Sequence, residues 1–269
     1  MARISNEEAD QLLDVEMSVL DKGFVRLVDY MGGDARIVQS ARVSYGNGTK
    51  TKREDAALIR YLLRNDHTSP FEQVVLTFHI KTPIFIARQW IRHRTARLNE
   101  ISGRYSVMKD EFYVPQAADV KLQNTINKQA RGEETPLEEQ ISDFISTVQA
   151  DQHNSYKRYD SYLQLNIARE LARINLPLSL YTEFYWQIDL HNLFHFLRLR
   201  LHSHAQKEIR DYANVLAKCA HAVAPTAYAA FEEYKLGSLT LAKSELQELA
   251  KLDLNGLSQE LQDKIDSQR

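Results

Sequence analysis

Val74-Val75-Leu76-Thr77-Phe78-His79-Ile80-Lys81-Thr82-Pro83 carries the clearest structural signal in the chain. Val74, Leu76, Phe78 and Ile80 fall on one side of a two-residue repeat, the pattern of a strand with one buried face. Thr82-Pro83 then reads as a helix N-cap followed by proline at the first helical position, so the spacing predicts a helix to about Arg94. The same strand-to-helix order recurs at Leu180 to Ile188, an aromatic and β-branched run that leads into helical pattern over 189–201. Upstream, Gly23 to Asp29 is strand-like, Met31-Gly32-Gly33-Asp34 is a turn signal, and Ala35 to Val43 is an apolar run ending in a loop at Ser44 to Gly48. Residues 53–63 predict a helix. Residues 6–21, with Leu12, Leu13, Met17 and Leu20 at helical spacing, predict another.

Downstream, residues 95–114 lack helical periodicity and read as an extended segment, and 117–134 as a polar surface excursion. Thr135-Pro136-Leu137-Glu138 opens a long helical pattern to about Ile174, which Pro177 interrupts. A helix over 203–223 is stopped by Pro225, and a charged, heptad-like tail follows from about Lys243. Strands mixed with long helices, without regular βαβ alternation, predict an α+β fold. We expect one domain with a mixed or antiparallel sheet packed by long helices, spanning 1–237, and a helical C-terminal tail over 238–269.

The chain has 269 residues, 43% hydrophobic and 26% charged, the balance of a globular protein with a sizeable core. A formal net charge of -2 argues against a dedicated nucleic-acid binder. The single cysteine, Cys219, excludes an internal disulfide framework and a zinc site built on several thiolates. The acidic N-terminus lacks the apolar core of a signal peptide, and no apolar run is long enough to span a bilayer. A cytoplasmic, membrane-free protein is expected.

The chemistry concentrates in Gln89-Trp90-Ile91-Arg92-His93-Arg94-Thr95-Ala96-Arg97-Leu98-Asn99-Glu100-Ile101-Ser102-Gly103-Arg104-Tyr105-Ser106. On a continuing helix, Gln89, Arg92 and His93 would share one face. The bland reading is a solvated basic helix end. The density of donors and acceptors beyond it goes further than a loop needs in order to fold. It suits a ligand with phosphates and a heterocyclic base: arginines for phosphate, Ser, Asn or Glu for the base edge, and Gly103 for close backbone approach.

Arg92-His93-Arg94, seven residues, then Ser102 resembles the signature of the flavin-dependent thymidylate synthases. Gln89, Asn99, Glu100 and Arg104-Tyr105-Ser106 match its extended form. So do Ala41 to Tyr45, His67-Thr68-Ser69-Pro70-Phe71-Glu72, Ala172 to Pro177, and Leu199-Arg200 with Ser203-His204-Ala205-Gln206. The likeness covers most of residues 22–230. Arg97 stands where many members carry serine, and no family role is assigned to it.

The resemblance implies the thymidylate synthase-complementing fold. It also implies reductive methylation of dUMP to dTMP with FAD, NADPH and methylenetetrahydrofolate, in a homotetramer that shares active sites between subunits. It implies dUMP contacts from Gln89, Trp90, Ile91, Arg92, Glu100, Ile101, Ser102, Gly103, Arg104, Arg173 and Arg200. FAD contacts are implied for Ser44, His67, Ser69, Arg92, His93, Arg94, Glu100, Asp189, His191 and His195. Arg200 is implied to be catalytic, helping to ionise the uracil ring.

Bland readings stand beside these. Trp90 is a core residue on its helix, His67 a surface-turn histidine, Arg173 a helix C-terminal cation and Arg200 a snorkelling arginine. His191 and His195 are spaced for a metal, but no third ligand is evident and none is expected. Tyr156, Tyr159 and Tyr162 form a packing stripe, and Cys219 is buried and inert. No G-x-G-x-x-G is present, so a Rossmann mode of FAD binding is not expected. Two rivals remain: a nucleic-acid module with steep salt dependence, and a flavoprotein of this fold that binds FAD without turning over dUMP.

Overall fold

A computed structural model describes residues 4–43, 52–125, 128 and 130–249. Five strands, β1 (Glu16–Val19), β2 (Gly23–Met31), β3 (Val75–Pro83), β4 (Arg97–Glu100) and β5 (Tyr181–Asp189), form one sheet in the order β1-β2-β3-β5-β4. Every pairing is antiparallel, which selects the second of the two expected sheet types. The helices are α1 (Glu7–Asp10), α2 (Asp34–Arg42), α3 (Lys52–Arg64), α4 (Ile84–Trp90), α5 (Glu138–Gln164) and α6 (Arg169–Ala172), followed by α7 (Leu190–Arg200), α8 (Lys207–Val223), α9 (Pro225–Phe231) and α10 (Lys243–Leu249).

The alternation in β3 holds: Val74, Leu76, Phe78 and Ile80 are all fully buried. Phe78 pairs with Leu27 of β2 and Trp186 of β5, so three strands give their apolar faces to one core. Full burial of each such side chain contributes about 1.5–3 kcal/mol. A β-bulge between Leu27 and Asp29 shifts the phase of β2. Val25 and Leu27 are buried before it, and Tyr30 is buried after it. Trp90 closes this core against Phe184, Trp186, Phe196 and Tyr212, with ring centroids 5.0–5.7 Å away. The other face of the sheet is polar, with His79 stacked on Tyr185 at 4.8 Å.

Several boundaries differ from expectation. The helix over 6–21 is confined to Glu7–Asp10, and Glu16–Val19 is a strand. Asp14 and Leu20 adopt φ of 57° and 59°, which ends helical continuation, and Met17 pairs with Val25 to extend the sheet. Thr82 is not an N-cap but a strand residue opposite Thr182. Helix α4 ends at Trp90, so Gln89, Arg92 and His93 do not share a helix face. The chain turns there through bonds from Arg92 N to Gln89 O and His93 N to Trp90 O, then runs extended as β4. Helix α5 opens at Glu138, where Gln140 Oε1 accepts the Leu137 N–H at 3.1 Å, rather than at Thr135. Helix α8 starts at Lys207 but stops at Val223, ahead of Pro225 as expected; Pro225 is also the first residue of α9, whose Thr226 and Ala227 N–H groups donate to the Asp34 carboxylate at 2.8 and 3.0 Å. The turn at Gly32 and Gly33 is present, with φ of 88° and 153°.

Tyr156 and Tyr159 pack as expected, but Tyr162, the third tyrosine of the expected stripe, is exposed. Tyr159 is 1% exposed, its hydroxyl accepts the Met108 N–H at 3.0 Å, and Tyr156 donates to Met108 O at 3.0 Å. Both help to build a second small core with Phe112, Ala172 and Leu180. No helix among the described residues is long and apolar enough to cross a membrane.

Candidate active site

Strand β4 spans only Arg97–Glu100, and the residues singled out by the sequence gather at its two ends. Four residues at about 3.3 Å each separate those ends by about 13 Å. At the first end, Arg92, His93, Arg94 and Thr95 meet Ile188, Asn192, His195, Leu199 and Arg200 around a cavity of about 290 Å³. The turn after α4 and the outer face of α7 supply its walls. Arg200 Nε donates to His93 Nε2 at 3.1 Å. Burial, Arg200 and His195 together push the His93 imidazole down to about 4, so near neutrality it is uncharged and accepts this bond. His195 is also lowered, by burial first and then by Arg198, His191 and Arg200. Burial lowers Arg200 from its usual range as well.

A second cavity, about 160 Å³, lies on the other side of His195. His67 and Thr68 line it with His191, Phe194, Arg198 and Lys235. The structure thus brings His67 to one wall with His191 and His195, which lie far along the chain from it. Asp189 sits differently. It caps α7, accepting the Asn192 N–H at 2.9 Å and the Asn192 side-chain amide at 2.7 Å. Ser69 is exposed at the turn before Phe71, and Ser44 lies outside the described residues.

At the second end, Glu100 accepts from Thr182 Oγ1 at 2.6 Å, and Ile101 N–H donates to Glu183 O at 2.9 Å. The loop 102–106 then lies against α6 and the turn after it. Arg169 donates to Tyr105 O at 2.8 Å, and Arg104 pairs with Glu170 at 3.1 Å. A side chain at Gly103 would come within 3.1 Å of the Arg173 guanidinium and 2.9 Å of Met108 Sδ. Gly103 therefore lets Arg173 lie on the loop, and Ser102, Gly103, Arg104 and Arg173 form one group. Gln89 donates from α4 to Gln206.

Some assignments have a structural occupation. Trp90 is fully buried, a core residue whose side chain packs inside the protein. Arg97 lies opposite Gln187 across the sheet and donates to it at 3.4 Å, a weak contact. The Cys219 thiol is fully buried and pushed up to about 12 by that burial. Among the described residues, no three His, Cys, Asp or Glu side chains gather as a metal site. Thr182, which holds Glu100, is not marked by any local pattern, whereas Gln206, which accepts from Gln89, lies in the Ser203-to-Gln206 block. Each is joined to its partner across 82 or 117 residues.

The donor set fits a flavin dinucleotide and a nucleotide. Arg92, Arg94 and Arg200 offer cations to phosphate or to an anionic ring, and neutral His93 and His195 with Asn192 offer hydrogen bonds to a heterocycle. One chain supplies walls rather than an enclosure: Arg92, Arg94, Glu100, Arg104 and Arg173 all lie open to solvent to some degree.

Residues 26–226 match the family described as thymidylate synthase complementing protein. A flavin-dependent thymidylate synthase of Treponema denticola is 64% identical over 240 residues, covering 89% of this chain and 90% of that one. One from Thermus thermophilus is 58% identical over 231 residues, covering 86% and 83%. The crystal structure of a UMP/dUMP methylase, PolB from Streptomyces cacaoi, bound with 5-Br dUMP, superposes with a TM-score of 0.74 at 31% identity, covering 82% of this chain and 99% of that one. The fold, the arginine-histidine-arginine turn and these relatives agree, and the chain belongs to the thymidylate synthase complementing family, the flavin-dependent thymidylate synthases.

Proposed function

We propose that this protein methylates dUMP to dTMP reductively, with methylenetetrahydrofolate as carbon donor and NADPH-reduced FAD as reductant. The observation that carries the reading is the half-buried Arg200 guanidinium held on neutral His93 beside Arg92 and Arg94. In this reading the bound flavin supplies the redox chemistry. His93, His195, His67, His191, Arg92 and Arg94 bind and orient it, with Ser44, Ser69, Glu100 and Asp189 carried over from the resemblance. Arg200 presents a fixed positive charge to the pyrimidine and stabilises the negative charge that develops as the ring is activated. Neutral His93 makes this possible, because a protonated imidazole would repel the guanidinium it now orients. A cysteine addition to the ring is disfavoured, because the buried Cys219 thiol is held protonated.

The separation of the two groups along β4 supports sites shared between subunits. Arg92 and Arg200 belong to one group, and Ser102, Gly103, Arg104 and Arg173 to the other, yet all are candidate dUMP contacts. Two chains that juxtapose opposite ends of β4 would complete one nucleotide site, as in the homotetramer that the resemblance implies. We place the synthase unit in residues 1–237, with 238–269 as an appended tail, in the cytoplasm.

The test is dTMP formation by purified protein from dUMP, methylenetetrahydrofolate and NADPH, with and without added FAD. Product that requires both flavin and NADPH is expected. Bound FAD and dUMP without product would sink the synthase reading in favour of an inactive flavoprotein. The PolB likeness calls for UMP as a parallel substrate, and turnover of dUMP well above UMP is expected from the 58–64% relatives.

A further inference from the structure

We propose that Thr182 is a positioning residue for Glu100, an inference that rests on the reading of Glu100 as a nucleotide contact. Glu100 is the last residue of β4 and lies opposite Phe184 in β5. Phe184 points into the core, so Glu100 sits on the core side of the sheet where the core runs out. Thr182 is two residues along β5 on the same face, opposite Thr82, and is only 3% exposed. Diagonal neighbours on one face of a sheet are about 7–8 Å apart, within reach of a hydroxyl and a three-bond carboxylate side chain.

The Thr182 hydroxyl donates to Glu100 Oε1 at 2.6 Å, a distance typical of a charge-assisted O–H···O bond. Oε2 takes no hydrogen bond among the described residues. One oxygen is therefore anchored by a buried donor, and Glu100 itself is exposed, so the outward oxygen is open to a ligand. Threonine suits this task because its branched side chain has restricted χ1 freedom, so the hydroxyl is aimed by packing. The outward oxygen accepts an N–H or O–H of the nucleotide, and Thr182 lowers the entropy lost when that bond forms.

The test uses flavin-loaded protein, with dUMP affinity read by calorimetry and KM and kcat by steady-state assay. Thr182→Val keeps the shape and removes the donor. It is expected to weaken dUMP binding about tenfold, the loss typical of a hydrogen bond to a charged group, with a smaller change in kcat. Thr182→Ser restores the hydroxyl and is expected to stay within about twofold of the parent. In a Glu100→Gln background, Thr182→Val should add little. Parent-like dUMP affinity in Thr182→Val, beside a weakened Glu100→Gln, overturns the positioning role. Full additivity of the two changes also overturns it, because Thr182 would then act through packing alone. If Glu100→Gln itself binds dUMP as the parent does, the assignment of Glu100 fails and the proposal falls with it. Should Thr182→Val not fold, Thr182→Ala against Thr182→Ser gives the same decision.

Discussion

The two ends of β4 are built on opposite plans. The Arg94 end is walled: His93 and Arg200 are half-buried, bonded to each other at 3.1 Å, and shifted in their protonation by burial. The Ser102 end is open: Arg104 and Glu170 form a pair that is more than half exposed on both sides, and Arg173 lies across a glycine. The difference teaches that charge at the first end is preorganised within one chain. At the second end it lies open to solvent.

The largest expected effect tests the preorganised end. Arg200→Ala should lower kcat/KM for dUMP about 10²–10³-fold, the usual cost of losing a fixed charge at a reacting centre. A loss under tenfold in folded protein would remove Arg200 from the chemistry. The contrast between the ends is tested next by mixing two inactive variants, Arg92→Ala and Ser102→Ala. If the ends serve different subunits, verified mixed oligomers should regain measurable activity, and inactive mixtures would count against a shared site.

A smaller effect concerns pH. The folded His93 imidazole titrates near 4, below its ordinary 6.5. Between these values the unfolded chain binds the proton and the folded one resists it, so stability is full above about 6.5 and is lost as pH falls toward 4. His93→Gln should lose less stability than the parent between about pH 7.5 and about pH 4.5, read as urea midpoints. Equal losses would show that other groups set the acid limb. The smallest effect belongs to the open end, where Glu170→Ala should change stability by less than about 1 kcal/mol, because the pair is screened by water. A larger drop in the denaturation midpoint would mean that this end is more tightly organised than its exposure implies.

What the sequence showed follows from range. The β3 alternation, the β5 run and the turn at Gly32-Gly33 are local patterns, and each is present. The fixed polar spacing from Arg92 to Ser102 was legible because ligand chemistry, not folding, demands it. The helix over 6–21 failed because Leu13 and Met17 are four apart, a spacing that serves a helix face and a strand face alike, and pairing with β2 decided between them. The overlong α4 failed for a related reason: Arg92 and His93 are acceptable in a helix, but His93 meets Arg200 only after the chain turns. Asp189 carried a readable cap signal, Asp followed three residues later by Asn192, which the family likeness overshadowed. Thr182 carried none, because its partner lies in a distant segment.

The clasp between Asp34 and the first turn of α9 joins residues 192 and 193 positions apart. At about 5–20 residues per second, a ribosome needs roughly 10–40 s to deliver α9 after α2 has emerged. During that interval the inner face of α2, with Ile37 and Val38, lacks its final cover. The nascent chain therefore spends most of its synthesis with an unfinished core, its early apolar faces waiting on residues that emerge last.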